Sequence, residues 1–254
     1  MCRHIGYIGI KKSLREVLID KEHSIITMAY KPKEMKEAIL NADGFGIGWF
    51  KAENFFTYKK VCPIWNDENL NSIAENISSD LIIGNVRSAT ILSNSGTQNT
   101  HPFLDKNFIF SHNGYIKNFE SKVKEKFIRL IENKFLKTIK GNTDSEYIFT
   151  LFRQNYYYLK SGKKSIIKTI DQITKISQAS LLNFLIAIND KREKRIIATK
   201  FGHNLEAPSL YYYNNNKTNQ NIISSEKLDS NNWKSISNNS IIEVTKKTNK
   251  IINF

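Results

Sequence analysis

An α+β fold is the class predicted for this 254-residue chain, on three observations. Strand-type segments occupy both ends, two stretches of helical periodicity lie between them, and no Pro-, Gly- or Ser-rich linker or internal repeat divides the chain. Hydrophobic residues make up 40% and aromatics 11%, which is ample material for the core of one domain spanning 1–254.

Residues 5–10 are β-branched, aromatic and glycine-bearing, a short core strand with Cys2 at its entrance. Segments 45–50 and 55–58 follow, separated by a polar connection in the manner of a hairpin. Further strands are predicted at 81–86 and 108–111, each leading straight into polar motif residues, with a polar loop at 93–100. Across 145–158 apolar residues recur at Ile148, Leu151, Phe152 and Leu159, which is helical spacing, and Thr143 with Glu146 forms a capping-box pattern at its start. Segment 165–176 reads as a second amphipathic helix. Strands return at 181–188, 195–198, 210–213, 222–224 and 241–244, with a polar turn at 214–221.

The net charge of +14 invites a nucleic-acid partner, because basic surfaces collect phosphates. The lysines are spread rather than striped and no nucleic-acid motif accompanies them, so the expectation is a solvated surface and no such partner. Lysine, asparagine and isoleucine are abundant together, as A/T-rich codon usage would produce. Only two cysteines occur, Cys2 and Cys62, and no disulfide is expected. Cys62 lies in the apolar run Val61-Cys62-Pro63-Ile64-Trp65, the setting of a buried, inert thiol. No charged-then-apolar leader and no apolar run of about 18 residues is present, so a soluble, cytoplasmic protein with no membrane partner is expected. His4, His23, His101, His112 and His203 show neither i, i+4 nor cysteine-paired spacing; they are expected to be core or hydrogen-bonding histidines, with no metal and no cofactor. Asp43-Gly44-Phe45-Gly46-Ile47-Gly48 lacks G-x-G-x-x-G spacing and runs into a strand, which excludes a dinucleotide loop.

The chemistry centres on Cys2. With Met1 excised, this one residue carries an attacking thiol and a free α-amine, whose reference pKa values of about 8.5 and about 7.7–8.0 make proton traffic between them cheap near neutral pH. That is nucleophile and base in one amino acid. Amide cleavage by a thiolate also needs donors aimed at the developing oxyanion, and Asn113-Gly114 offers a side-chain amide and a backbone N–H. Asn-Gly is equally a strong hairpin-turn signal, and the two readings are compatible.

The opening Cys2-Arg3-His4-Ile5-Gly6-Tyr7-Ile8-Gly9 is followed in order by several further blocks. They are Asn41-Ala42-Asp43-Gly44-Phe45-Gly46, Val86-Arg87-Ser88-Ala89-Thr90, Thr100-His101-Pro102-Phe103, Ser111-His112-Asn113-Gly114 and Thr143-Asp144-Ser145-Glu146, with Ser224-Ser225-Glu226 near the end. This ordered set resembles the class II glutamine amidotransferases, which are N-terminal-nucleophile hydrolases. The Met-Cys-Arg-His start and Tyr30-Lys31-Pro32 look most like the ergothioneine-biosynthesis branch. The resemblance implies a four-layer αββα sandwich of two mostly antiparallel sheets. It also implies roles: Asn113 and Gly114 for the oxyanion, Arg87 for a substrate α-carboxylate, Asp144 for its α-amine, and Thr90 in the pocket wall. A surface arginine and an acidic first-turn helix residue are the plain alternatives for Arg87 and Asp144. Ser225-Glu226 matches the family pattern with no chemical role assigned to it.

The expected function is hydrolysis of a γ-glutamyl amide of a small molecule, and the branch implies γ-glutamyl-hercynylcysteine sulfoxide. The alternatives are a glutaminase subunit supplying ammonia to a separate synthase, since no acceptor domain is seen before Phe254, and a binding protein without chemistry. A homo-oligomer is compatible with either enzyme. For a trimethylammonium leaving group, Phe45, Trp49 and Trp65 are the aromatic candidates, though each taken singly is more readily a core residue.

Overall fold

The computed structural model describes residues 1–35, 39–89, 96–190, 193–215 and 217–253. The strands are β1 (Arg3–Ser13), β2 (Phe45–Lys51), β3 (Asn54–Lys60), β4 (Ser78–Val86), β5 (Phe103–Asp105), β6 (Phe108–Ile116) and β7 (Ser180–Asn189). They continue as β8 (Lys194–Lys200), β9 (Gly202–His203), β10 (Tyr211–Asn215), β11 (Gln220–Ser224), β12 (Lys234–Ser235), β13 (Ser240–Thr245) and β14 (Asn249–Asn253). The helices are α1 (Leu14–Leu18), α2 (Ile25–Tyr30), α3 (Leu70–Asn76), α4 (Lys124–Leu130), α5 (Asn133–Leu136), α6 (Asp144–Leu159) and α7 (Gly162–Ile176).

Two antiparallel sheets result, in the orders β12-β10-β11-β1-β4-β2-β3 and β14-β13-β8-β7-β6-β5, with β9 added beside β7. The period-2 alternation of β1 explains how they stack. Ile5 and Tyr7 point to one side, into an apolar layer with Leu14, Leu18, Ile25, Met28 and Leu70 of α1, α2 and α3. Ile8 points to the other, into a layer between the sheets with Ile83, Ile109, Leu185, Ile196 and Ile242. A third layer packs Phe110, Phe184 and Ile186 of the second sheet against Phe127, Ile148, Phe152, Ile166 and Ile170 of α4, α6 and α7. Helix, sheet, sheet and helix therefore form four layers, as the family resemblance implies. Each fully buried Ile or Phe contributes about 1.5–3 kcal/mol, so these layers hold elements that are individually marginal. Among the described residues no helix is long and apolar enough to cross a membrane.

Several expectations need correction. The strand predicted at 108–111 continues to Ile116, so Asn113 and Gly114 lie within β6, opposite Asn183 and Leu182, and do not make a turn. The capping box at α6 is half formed: Thr143 Oγ1 accepts from the Glu146 amide, but the Glu146 carboxylate turns back to the Lys140 and Gly141 amides at 2.8 and 2.6 Å. The complete box belongs to Ser13 and Glu16 at α1. Cys62 is a free thiol, as expected, but only half-buried at the edge of the helix-side layer. Helices α1 to α5 and strands β5, β9, β12 and β14 were not predicted. Most are short segments whose order comes from packing rather than from a periodic run.

Candidate active site

The register of β1 against β4 builds the site. Arg3 pairs with Val86, so Cys2 and Arg87 leave adjacent central strands at the same end of their sheet. Strand β6 of the second sheet adds Gly114 and Tyr115, and the N-terminus of α6 adds Asp144 and Ser145. All six line one cavity of about 400 Å³, within the size range of small-molecule sites.

Cys2 is 7% exposed, and its Sγ faces the Ser88 carbonyl at 3.9 Å. Arg87 is buried and held by the Asn-Ala-Asp-Gly block. Its amide donates to Gly44 O at 2.8 Å, its carbonyl accepts from the Asp43 amide at 3.0 Å, and Nη1 reaches Asp43 O at 3.5 Å. Gly46 allows that block to sit against the Thr-His-Pro-Phe segment, because a Cβ there would lie 2.1 Å from the His101 carbonyl. Asp144 Oδ2 accepts from the Ile116 amide at 2.8 Å, and Oδ1 accepts from the Ser145 amide at 2.7 Å. Its first-turn position puts it beside the positive end of the helix dipole, and its side chain borders the cavity.

The two oxyanion candidates differ. Gly114 lines the cavity, and a Cβ on it would fall 1.9 Å from the Leu181 carbonyl, so only glycine fits this strand pairing. Asn113 is fully buried, and neither Oδ1 nor Nδ2 has a protein hydrogen-bond partner. Its cross-strand neighbour Asn183 is satisfied by Pro208 O and the Phe201 amide. Asn113 does not itself line the cavity, but a buried amide left unpaired next to Gly114, which does, calls for a reason other than the fold. Thr90 lies outside the described residues. Phe45 is in the helix-side layer, Trp49 stacks on Phe56 and Trp65 meets Tyr30, so none of these three rings lines the cavity; Tyr115 and Phe119 do.

Sequence reasoning did not place histidines at the site, and two are in its wall. His112 Nε2 meets the Leu181 carbonyl at 2.8 Å, which assigns the proton of the neutral ring to that nitrogen. Nδ1 then accepts from Ser145 Oγ at 2.9 Å, and the same hydroxyl lies 3.1 Å from Asp144 Oδ1. One hydroxyl proton serves only one of them at a time. Burial lowers the His112 pKa, opposed by the Asp144 charge and the Leu181 carbonyl. His101 is buried with no protein partner on either ring nitrogen, and burial followed by the charges of His112 and Arg87 holds it well below the ordinary range. His4, behind them, contacts Ser111 Oγ at 3.2 Å and is lowered to about 3, chiefly by burial. The signal for His101 and His112 was their place in the ordered blocks, not any spacing rule. No group of three His, Cys, Asp or Glu among the described residues is arranged to hold a metal.

The sequence pattern of the family described as Glutamine amidotransferases class-II matches residues 21–192. The chain is 32% identical over 219 residues to Probable glutamine amidotransferase DUG3 of Saccharomyces cerevisiae, covering 73% of this chain and 60% of that one. It is 31% identical over 116 residues to gamma-glutamyl-hercynylcysteine sulfoxide hydrolase of Mycobacterium tuberculosis, covering 46% of this chain and 50% of the relative. It thus spans about half to three-fifths of the length of these relatives. Among solved structures, a glutamine aminotransferase class-II domain protein from Silicibacter pomeroyi superposes with TM-score 0.71 at 21% identity, covering 100% of this chain and 99% of that one, which shows the shared fold. With the family's pattern running through most of the chain, and its ordered blocks converging on the cavity beside Cys2, this protein belongs to the class II glutamine amidotransferases.

Proposed function

We propose that the chain hydrolyses γ-glutamyl amides through Cys2 after removal of Met1. The observation that carries this reading is the shared cavity: a thiol, a guanidinium and a carboxylate border one space, as an acyl-transfer site for an amino-acid zwitterion requires. Arg87 takes the substrate α-carboxylate by its planar fork and Asp144 takes the α-ammonium. The Cys2 thiolate attacks the γ-carbonyl carbon, and the oxyanion accepts from Asn113 Nδ2 and the Gly114 amide. The C–N bond then breaks, the amine leaves with a proton from the Cys2 α-ammonium, and a γ-glutamyl thioester remains. Water adds to the thioester, its proton passing to the α-amine, and glutamate departs as the thiol is restored.

The substrate we favour is γ-glutamyl-hercynylcysteine sulfoxide, supported by the likeness to the mycobacterial hydrolase of that name. A second reading, ammonia supply to a separate synthase, is supported by the yeast relative, a probable amidotransferase that aligns over a larger share of this chain. Comparing kcat/KM for glutamine and for the conjugate, with glutamate release as readout, separates them. The conjugate should win without any added protein. Equal or faster turnover of glutamine, or activity only with a second subunit, moves the assignment to ammonia supply.

A further inference from the structure

Glu226 belongs to the ordered blocks, has no use in the chemistry above, and is among the most completely hydrogen-bonded side chains described. It is 1% exposed and follows β11. Oε1 accepts from Arg3 Nε at 2.7 Å and from the Glu34 amide at 3.1 Å. Oε2 accepts from His23 Nε2 at 2.6 Å and from the Lys33 amide at 2.8 Å. Burial by itself would raise this carboxyl, but the bonds from His23 and the Lys33 amide and the Arg3 charge hold it down to about 2.

The arginine so held touches the proposed nucleophile's own backbone: Arg3 Nη1 donates to the Cys2 carbonyl at 3.0 Å. A guanidinium is a planar fork, so fixing Nε on Glu226 fixes the direction in which Nη1 points. That contact holds the peptide plane leaving Cys2 and so anchors the Cα from which the thiol and the α-amine project. The next residue is fastened as well, since the His4 amide donates to Ser225 Oγ and the Ser225 amide to the His4 carbonyl, both at 3.0 Å. Through Lys33 and Glu34, Glu226 also holds the segment whose Met35 Sδ lies 4.0 Å from the Met1 amine. A buried ion pair is weak evidence for stability, because apolar residues of the same volume commonly serve the fold as well. One placed beside the attacking residue needs another reason.

We propose that Glu226 is a positioning residue for Cys2, acting through Arg3 to set the orientation of the thiol and α-amine. The inference rests on Cys2 being the nucleophile. The test uses the full chain, checked by intact mass for loss of Met1, and a glutamine analogue carrying a diazomethyl ketone in place of the carboxamide. Inactivation kinetics give KI, which reports zwitterion binding, and kinact, which reports attack by the thiol. Glu226→Gln and Arg3→Lys, the latter keeping the charge but not the fork, should each lower kinact by about tenfold to a hundredfold, as expected for a misaligned nucleophile, with KI within about twofold. Ser79→Ala, which removes buried hydrogen bonds at the far end of β4, should lower the melting temperature and leave kinact within about twofold. Should Glu226→Gln fail to fold, Arg3→Lys decides. Wild-type kinact in the folded variants, a rise in KI in place of the fall in kinact, or an equal fall in Ser79→Ala overturns the inference. Failure of the probe to modify Cys2 of the wild type overturns the nucleophile reading instead.

Discussion

Replacing Asn113 by leucine should make the protein more stable and nearly inactive. The side chain is fully buried and both of its polar atoms lack protein partners, while leucine has the same branched outline. Leaving a buried polar group unsatisfied costs about 1–3 kcal/mol, and an apolar group of similar shape removes that cost. Slight overpacking by the two methyl groups offsets part of the gain. A net 1–2 kcal/mol at this chain length corresponds to a rise in Tm of about 2–8 °C. Loss of one oxyanion donor raises the barrier by about 2.7–4 kcal/mol, or about 100- to 1000-fold in kcat. Calorimetry on wild type and Asn113→Leu gives the first quantity, and glutamate release at saturating substrate gives the second. A variant that loses stability along with activity would show that the amide is a structural hydrogen-bonding group. A stabilised variant with wild-type kcat would remove Asn113 from the oxyanion site.

Other outcomes follow from the same geometry. Gly114→Ala should be strongly destabilised, by about 1–3 kcal/mol or more, because its Cβ would sit 1.9 Å from the Leu181 carbonyl, and denaturant melts check this. Arg87→Ala and Asp144→Asn should each cost roughly 2–5 kcal/mol in kcat/KM for every γ-glutamyl substrate, whatever amine departs. A substrate lacking the α-carboxylate should be blind to Arg87→Ala, and strong discrimination among leaving groups would contradict the assignment. Acidification should destabilise the fold: His4, held to about 3 by burial, and His101 and His112, also lowered, stay neutral while the unfolded chain protonates below about 6.5. Stability is then full above that pH and declines below it by about 1.4 kcal/mol per pH unit for each such histidine. Glu226 adds to the loss as pH falls from 4.5 toward its folded value of about 2. A Tm unchanged between about pH 7 and about pH 5, or a His4→Asn variant with the same slope as wild type, would refute this pH dependence.

Much of the fold and site was legible in the residues themselves. The β-branched, aromatic and apolar makeup of 5–10, 81–86 and 181–188 marked strands because such side chains pack well on a pleated surface, and the helix at 145–158 showed its period of 3.6. What such makeup does not carry is the identity of the facing surface. Ile5 and Ile8 read alike in the sequence, yet one packs on helices and the other on a second sheet. Helices of five to seven residues such as α1, α2 and α3 were missed because their order is contributed by that packing.

The sequence by itself determined the chemical inventory: a cysteine at position two, an arginine ending a strand, an acid opening a helix and an Asn-Gly pair, in a fixed order. Tertiary structure decided which of these share a cavity, that Asn113 and Gly114 sit inside a strand, and that His101 and His112 stand in the wall while Phe45, Trp49 and Trp65 do not. It also joined Arg3 to Glu226 across 223 positions. Local propensity has a reach of a few residues, whereas that contact exists because β1 is paired with β11 and the chain must return there to complete the sheet.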